Sequence, residues 1–184
     1  MVGFILHKQN VFGGLLNIVS IIRIVKDINQ AMAFTEHYQY PIRISPQQVQ
    51  KNIRNLGGTQ GYYFAPALWR LRGAIDKLLG GIGNGSHKLQ KADRLSVGDQ
   101  LGLWVVKAVE FEPYRVQLKP LAKLPGEVVL TFDIVEHNGE FLLIMKNRFQ
   151  PSGLWGRIYW YLSLPLHQWI FSGMARNISR FDKG

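Results

Sequence analysis

The sequence predicts an α+β fold in which a curved antiparallel sheet wraps around a long C-terminal helix. Three observations predict it. Four strand-like runs follow one another between residues 100 and 149, separated only by short breaks. A helical period then runs from about residue 153 to about residue 180. A strand and two helices precede the meander, and short connections between successive strands imply antiparallel pairing.

Taken in order, the first 36 residues read as an N-terminal extension. Its apolar run from Val11 to Val25 is interrupted at Arg23 and followed by Lys26 and Asp27. The run is shorter than the roughly 20 residues a membrane span needs. A signal-peptide reading draws on Lys8 and on Ala31-Met32-Ala33, but Arg23 and Lys26 fall in the wrong place for one. A docked helix, or an amphipathic segment lying on a membrane, fits better, with strands as the alternative because β-branched residues favour them.

From residue 37 onward the chain reads as one domain. Tyr38, Tyr40, Ile42 and Ile44 alternate with polar neighbours at a strand period, and Pro41 places that strand at an edge. Ser45-Pro46-Gln47-Gln48 starts a helix: serine as N-cap, proline in the first turn, glutamine three residues after the cap. Gly57-Gly58 ends it. Gly61 to Ala65 forms a short aromatic strand or turn. A second helix spans Pro66 to Leu79 and stops at Gly80-Gly81. On a helical wheel Leu68, Leu71, Ile75, Leu78 and Leu79 share one arc, with Trp69, Arg72 and Asp76 at its edge.

The four strand runs are Gln100–Phe111, Arg115–Leu124, Glu127–Val135 and Glu140–Phe149, and Asn138-Gly139 between the last two is the strongest hairpin signal. In the terminal helix, Pro165 predicts a kink or break. Beyond it Leu166, Ile170, Gly173 and Met174 lie together, opposite Gln168, Ser172, Arg176 and Ser179. A space between such a sheet and such a helix is a natural ligand cavity.

Composition narrows the function classes. The 184 residues are 47% hydrophobic and 18% charged, which suits one well-cored domain. With no cysteine, disulfides, thiolate zinc sites and cysteine nucleophiles are excluded, and a reducing, cytoplasmic location is expected. The net charge of +10 is spread along the chain without a block of like charges. Nucleic acid is therefore not the expected partner, whereas association with a membrane surface stays open.

Several segments carry a family resemblance. They are Leu68-Trp69-Arg70-Leu71-Arg72-Gly73 with Asp76 to Gly81, Val97-Gly98-Asp99 with Trp104, and Lys123-Leu124-Pro125-Gly126-Glu127. Phe149-Gln150-Pro151 with Gly153-Leu154, Gly156 to Tyr161, and Pro165-Leu166-His167 with Phe171 and Met174 complete the set. Together they resemble a bacterial family of uncharacterised START-like domains, found alone or fused behind an NAD(P)-binding, epimerase-like domain. The resemblance covers roughly residues 40 to 180. It implies a helix-grip fold and a separate NAD(P)-binding partner, and supplies no catalytic residue. The chain departs from the family at Gly102, Leu103 and Val105, where an Asp, an aromatic and an Arg are usual, at Val129, where Trp is usual, and at Gly85 to Lys88. If the missing Asp and Arg line the cavity, its site is more apolar than those of its relatives.

The residues expected to line a site are Trp69, Arg72, Asp76, Trp104, Glu127, Tyr159 and His167. Arg72, Asp76 and Glu127 combine as an acid/base or anion-binding set, or Arg72 and Asp76 simply pair at i, i+4. His167 is either a polar group in the cavity wall or a histidine satisfied at a helix break. The aromatics are more often core than site. Gly80 to Gly85 lacks phosphate-loop spacing, the five histidines lack metal-ligand spacing, and no serine-hydrolase elbow occurs. No metal or cofactor is expected. The expected function is binding a small apolar or amphipathic molecule. The alternatives are a cyclase, dehydratase or hydrolase using the same cavity, and a peripheral membrane protein.

Overall fold

A computed structural model describes Ser20 and residues 33–78, 80–91 and 93–182. The chain divides into two compact units, Met1–Ala33 and Phe34–Gly184. The helical reading of the extension lies outside the described residues.

Among its described residues, the second unit contains seven strands and three helices. The strands are β1 (Phe34–Pro41), β2 (Ser86–Lys88), β3 (Gln100–Gly102), β4 (Trp104–Phe111), β5 (Tyr114–Pro120), β6 (Gly126–His137) and β7 (Glu140–Pro151). The helices are α1 (Pro46–Arg54), α2 (Pro66–Leu78) and α3 (Gly153–Ile178). All seven strands form one antiparallel, curved sheet in the order β1-β7-β6-β5-β4-β3-β2, with α3 packed into it. This is the α+β helix-grip architecture.

Period-two sequence puts the core on one face of the sheet. Leu143, Met145 and Phe149 of β7, Leu130 and Phe132 of β6, and Val116 and Leu118 of β5 are at most 1% exposed. Phe171, Met174, Ala175 and Ile178 of α3 fill the other side. Near the β1 edge, Trp160 stacks between Phe34 and Phe149, with centroids 5.2 and 5.3 Å away. Ser45 caps α1 by accepting the Gln48 N–H at 3.1 Å. Asn138-Gly139 turns the β6–β7 hairpin with both residues at positive φ, 51° and 80°, as a type I′ turn requires.

Two expectations are corrected and two are narrowed. β1 begins at Phe34, four residues before the alternation was legible, and ends at Pro41; Ile42 and Ile44 pack against the core beyond it. The Gln100–Phe111 run is two strands, because Gly102 at φ 65° bends the chain and the Leu103 N–H leaves the ladder to reach the Tyr62 hydroxyl at 2.7 Å. Of the strand or turn expected from Gly61 to Ala65, the structure takes the turn, with Tyr63 and Ala65 at positive φ. Of the kink or break expected at Pro165, the break is absent: α3 continues through it. The carbonyl that loses its partner there belongs to Tyr161, an exposed residue that water can reach.

Candidate functional site

Beyond Leu68, which packs against the core, the described part of the α2 apolar arc is exposed. Trp69 and Gly73 are buried, but Leu71, Ile75 and Leu78 are 56%, 50% and 86% exposed. Their helix lies over a gap between sheet and α3. That gap is a cavity of about 290 Å³, at the small end of ligand sites. From α2 come Leu68, Trp69, Leu71, Arg72 and Ile75. The sheet side supplies Trp104, Pro120, Leu124, Val128 and Asn147. α3 contributes Tyr159, Ser163, Leu166, His167, Ile170 and Phe171.

The Phe171 ring is the hub of this wall. Trp69, Trp104 and His167 lie around it with centroids at 6.1, 6.5 and 5.2 Å, all edge-on. Trp69 is held from behind by Tyr62, stacked at 4.1 Å, whose hydroxyl is fixed by the Leu103 N–H. Burial raises the pKa of Tyr62, against the opposing pull of that N–H and of Arg72. Burial likewise raises Tyr159, again against Arg72. Both phenols are neutral at ordinary pH, so neither compensates the guanidinium charge.

Within this apolar wall, four buried polar atoms have no hydrogen-bond partner among the described residues: Trp69 Nε1, Trp104 Nε1, Arg72 Nη1 and Asn147 Oδ1; His167 Nδ1 faces the Glu36 carboxylate at 3.8 Å. Buried polar atoms are nearly always satisfied, and leaving one unpaired costs about 1–3 kcal/mol. Four in one cavity wall form a constellation that a packed core would not tolerate. Two wider surface hollows, of about 420 and 610 Å³, contain none of these residues.

Behind Asn147 and His167 sits a buried carboxylate. Glu36 of β1 accepts hydrogen bonds from Asn147 Nδ2 at 2.9 Å and from the Tyr38 hydroxyl at 2.7 Å, and His167 Nδ1 stands 3.8 Å away. Burial acts to raise the Glu36 pKa, but the His167, Tyr38 and Asn147 side chains outweigh it and hold the carboxyl below its ordinary value. Those same contacts fix the Asn147 amide with its oxygen free.

Of the seven expected site residues, the cavity brings together Trp69, Arg72, Trp104, Tyr159 and His167. Asp76 and Glu127 are not in its wall. Asp76 turns to the loop after α2, accepting the Gly83 N–H at 2.9 Å, and forms no ion pair with Arg72. Glu127 is exposed on β6 opposite Gln150. The acid/base set of Arg72, Asp76 and Glu127 is therefore not assembled. Gly102, Leu103, Val105 and Val129 also lie outside the wall, so these departures from the family pattern do not set its polarity. Asp99 staples its own loop instead, accepting the Gln90 and Ser96 N–H groups at 2.6 and 2.8 Å. Among the described residues no group of side chains could hold a metal ion.

Glu36 and Asn147 were missed from sequence, although a signal existed. Asn147 occupies a core-face position in the alternation Leu143, Met145, Asn147, Phe149, and Glu36 shares a strand face with Tyr38 and Tyr40. A polar residue on the apolar phase of a strand is the mark of a site or a buried network.

Fold and site together define an α+β helix-grip protein with a cavity between α2, α3 and the sheet. The chain belongs to the family described as Protein of unknown function (DUF2867), which matches residues 28–174. No curated protein matches it. Among solved structures it is similar to a truncated norcoclaurine synthase from Thalictrum flavum, at 13% identity and a TM-score of 0.43, covering 80% of this chain and 92% of that one. It is also similar to major latex-like protein 151 from Panax ginseng, at 11% identity and a TM-score of 0.41, covering 80% and 96%.

Proposed function

We propose that this protein is a binding module that takes a small amphipathic molecule into the cavity between α2, α3 and the sheet. The observation that carries the reading is the wall itself: mostly aromatic and aliphatic, yet holding four buried polar atoms that lack partners. An apolar body satisfies the first property and a polar group the second. The exposed Leu71, Ile75 and Leu166, which also line the cavity, give it an apolar mouth. Binding without chemistry is favoured because the carboxylates an acid/base mechanism would use, Asp76 and Glu127, are outside the wall.

The test is titration with the neutral fluorophore 1-aminoanthracene. Saturable binding by the full chain is expected, weakened at least tenfold in Ser163→Phe, which places a ring inside the cavity. No saturable binding, or binding indifferent to Ser163→Phe in a variant that folds normally, would refute the reading.

Two further associations are separate proposals. Binding to a separate NAD(P)-binding protein rests on the family resemblance. Membrane association rests on the apolar N-terminal run and the net charge of +10; no helix among the described residues is long and apolar enough to cross a membrane. Flotation with anionic liposomes, before and after deletion of residues 1–34, tests the second. Flotation lost on deletion supports it, and flotation absent or unchanged contradicts it.

A further inference from the structure

We infer that the polar end of the ligand is an anion, such as a carboxylate, received by Arg72 together with the indole N–H groups of Trp69 and Trp104. The inference rests on the binding reading above and specifies the chemistry of the same cavity.

The unpaired atoms are not evenly divided between donors and acceptors. Trp Nε1–H and the guanidinium can only donate. Trp69 and Trp104 are 7% and 5% exposed, so their N–H groups have lost water without gaining a partner. Arg72 adds a formal positive charge, and it makes no ion pair with a carboxylate among the described residues. A cation in a largely apolar wall is unfavourable until an opposite charge meets it. Three donors, one of them cationic, therefore call for an acceptor that carries negative charge.

The remaining polar atoms give the anion a direction. Asn147 Oδ1 is an acceptor, and behind it and His167 lies the Glu36 carboxylate. An incoming anion meets an acceptor at that end and donors at α2 and Trp104. Its apolar body then lies against Phe171 and Ile170, with the exposed leucines at the mouth. A guanidinium suits a carboxylate because its paired N–H groups match the two oxygens.

The experiment is competition against bound 1-aminoanthracene by octanoate, 1-octanol and octylamine, which differ only in their polar ends. Wild-type protein is expected to bind octanoate about tenfold or more tightly than 1-octanol, and octylamine most weakly, since a charge-assisted hydrogen bond exceeds a neutral one by about a factor of ten in affinity. Arg72→Gln should erase the preference for octanoate over 1-octanol, and Arg72→Lys should restore part of it, because lysine keeps the charge without the paired geometry. Equal displacement by octanoate and 1-octanol, stronger displacement by octylamine, or no displacement by octanoate overturns the anion assignment while leaving cavity binding intact. Failure of 1-aminoanthracene itself to bind would instead remove the binding reading. Should Arg72→Gln fail to fold, the ranking of the three ligands on wild-type protein decides.

Discussion

Replacing Asn147 with leucine should change how stability depends on pH more than it changes stability at neutral pH. The variant removes the 2.9 Å hydrogen bond from Asn147 Nδ2 to Glu36. A bond to a charged group contributes about 1.5–3 kcal/mol, but the variant also removes an unpaired buried amide oxygen that costs about 1–3 kcal/mol. At pH 7 the two nearly cancel. The pH term does not. The Glu36 carboxyl lies below its unfolded value of 4.5 in the folded protein. It therefore contributes stability that is present above about pH 4.5 and lost as pH falls through the lower folded value. In Asn147→Leu one of the contacts opposing burial is gone, so the folded value moves up and that contribution shrinks. A charged hydrogen bond exceeds a neutral one by about 1–1.5 kcal/mol. Urea unfolding at pH 7 and at about pH 3 measures the difference. Going from the lower to the higher pH, wild type should gain about 1 kcal/mol more than the variant. Comparing the gain cancels carboxylates that titrate identically in both proteins. An equal gain would refute the claim that Asn147 helps hold Glu36 ionised.

Three further outcomes test the scaffold. Gly57→Ala should cost at least about 2 kcal/mol, since its Cβ would lie 2.5 Å from the Gly102 Cα at a φ of 72°. Gly139→Ala, at φ 80° with nothing within 4 Å, should cost only about 1 kcal/mol; equal losses of thermal midpoint would contradict the close approach. Tyr62→Phe should cost about 1–3 kcal/mol by leaving the buried Leu103 N–H unpaired, and denaturation that matches wild type would rule out that role. Ser45→Ala should lose about 1 kcal/mol as α1 loses its cap, read from the same urea curves.

The parts of the fold that were legible are those whose signal is local. Ser45-Pro46, the Asn138-Gly139 turn and the alternation of β6 and β7 each follow from a few neighbouring residues. What escaped depends on distant partners. Leu103 leaves its strand because of a hydroxyl 41 residues away, and nothing near it in sequence says so. The wheel of α2 correctly grouped Leu71 and Ile75, but a wheel cannot distinguish a face packed on core from one lying at a cavity mouth. Five candidate residues lie in the cavity wall because aromatic and cationic side chains on α2, β4 and α3 are conspicuous. Asp76 drew equal notice yet serves its own loop, since i, i+4 spacing permits an ion pair without requiring one. Glu36 shows the converse. Its partners, Asn147 and His167, are more than a hundred residues away, and the strand carrying it starts where the alternation was not yet readable.

The indole N–H signals of the five tryptophans offer the most direct test of cavity binding. They should be followed by ¹H–¹⁵N NMR while the full chain is titrated with 1-aminoanthracene. Trp69 and Trp104 border the cavity, whereas Trp155 is 77% exposed and lies outside its wall. The account predicts large shifts at Trp69 and Trp104 with Trp155 unmoved. Shifts confined to Trp155 and Trp169, or none at any indole, would contradict it.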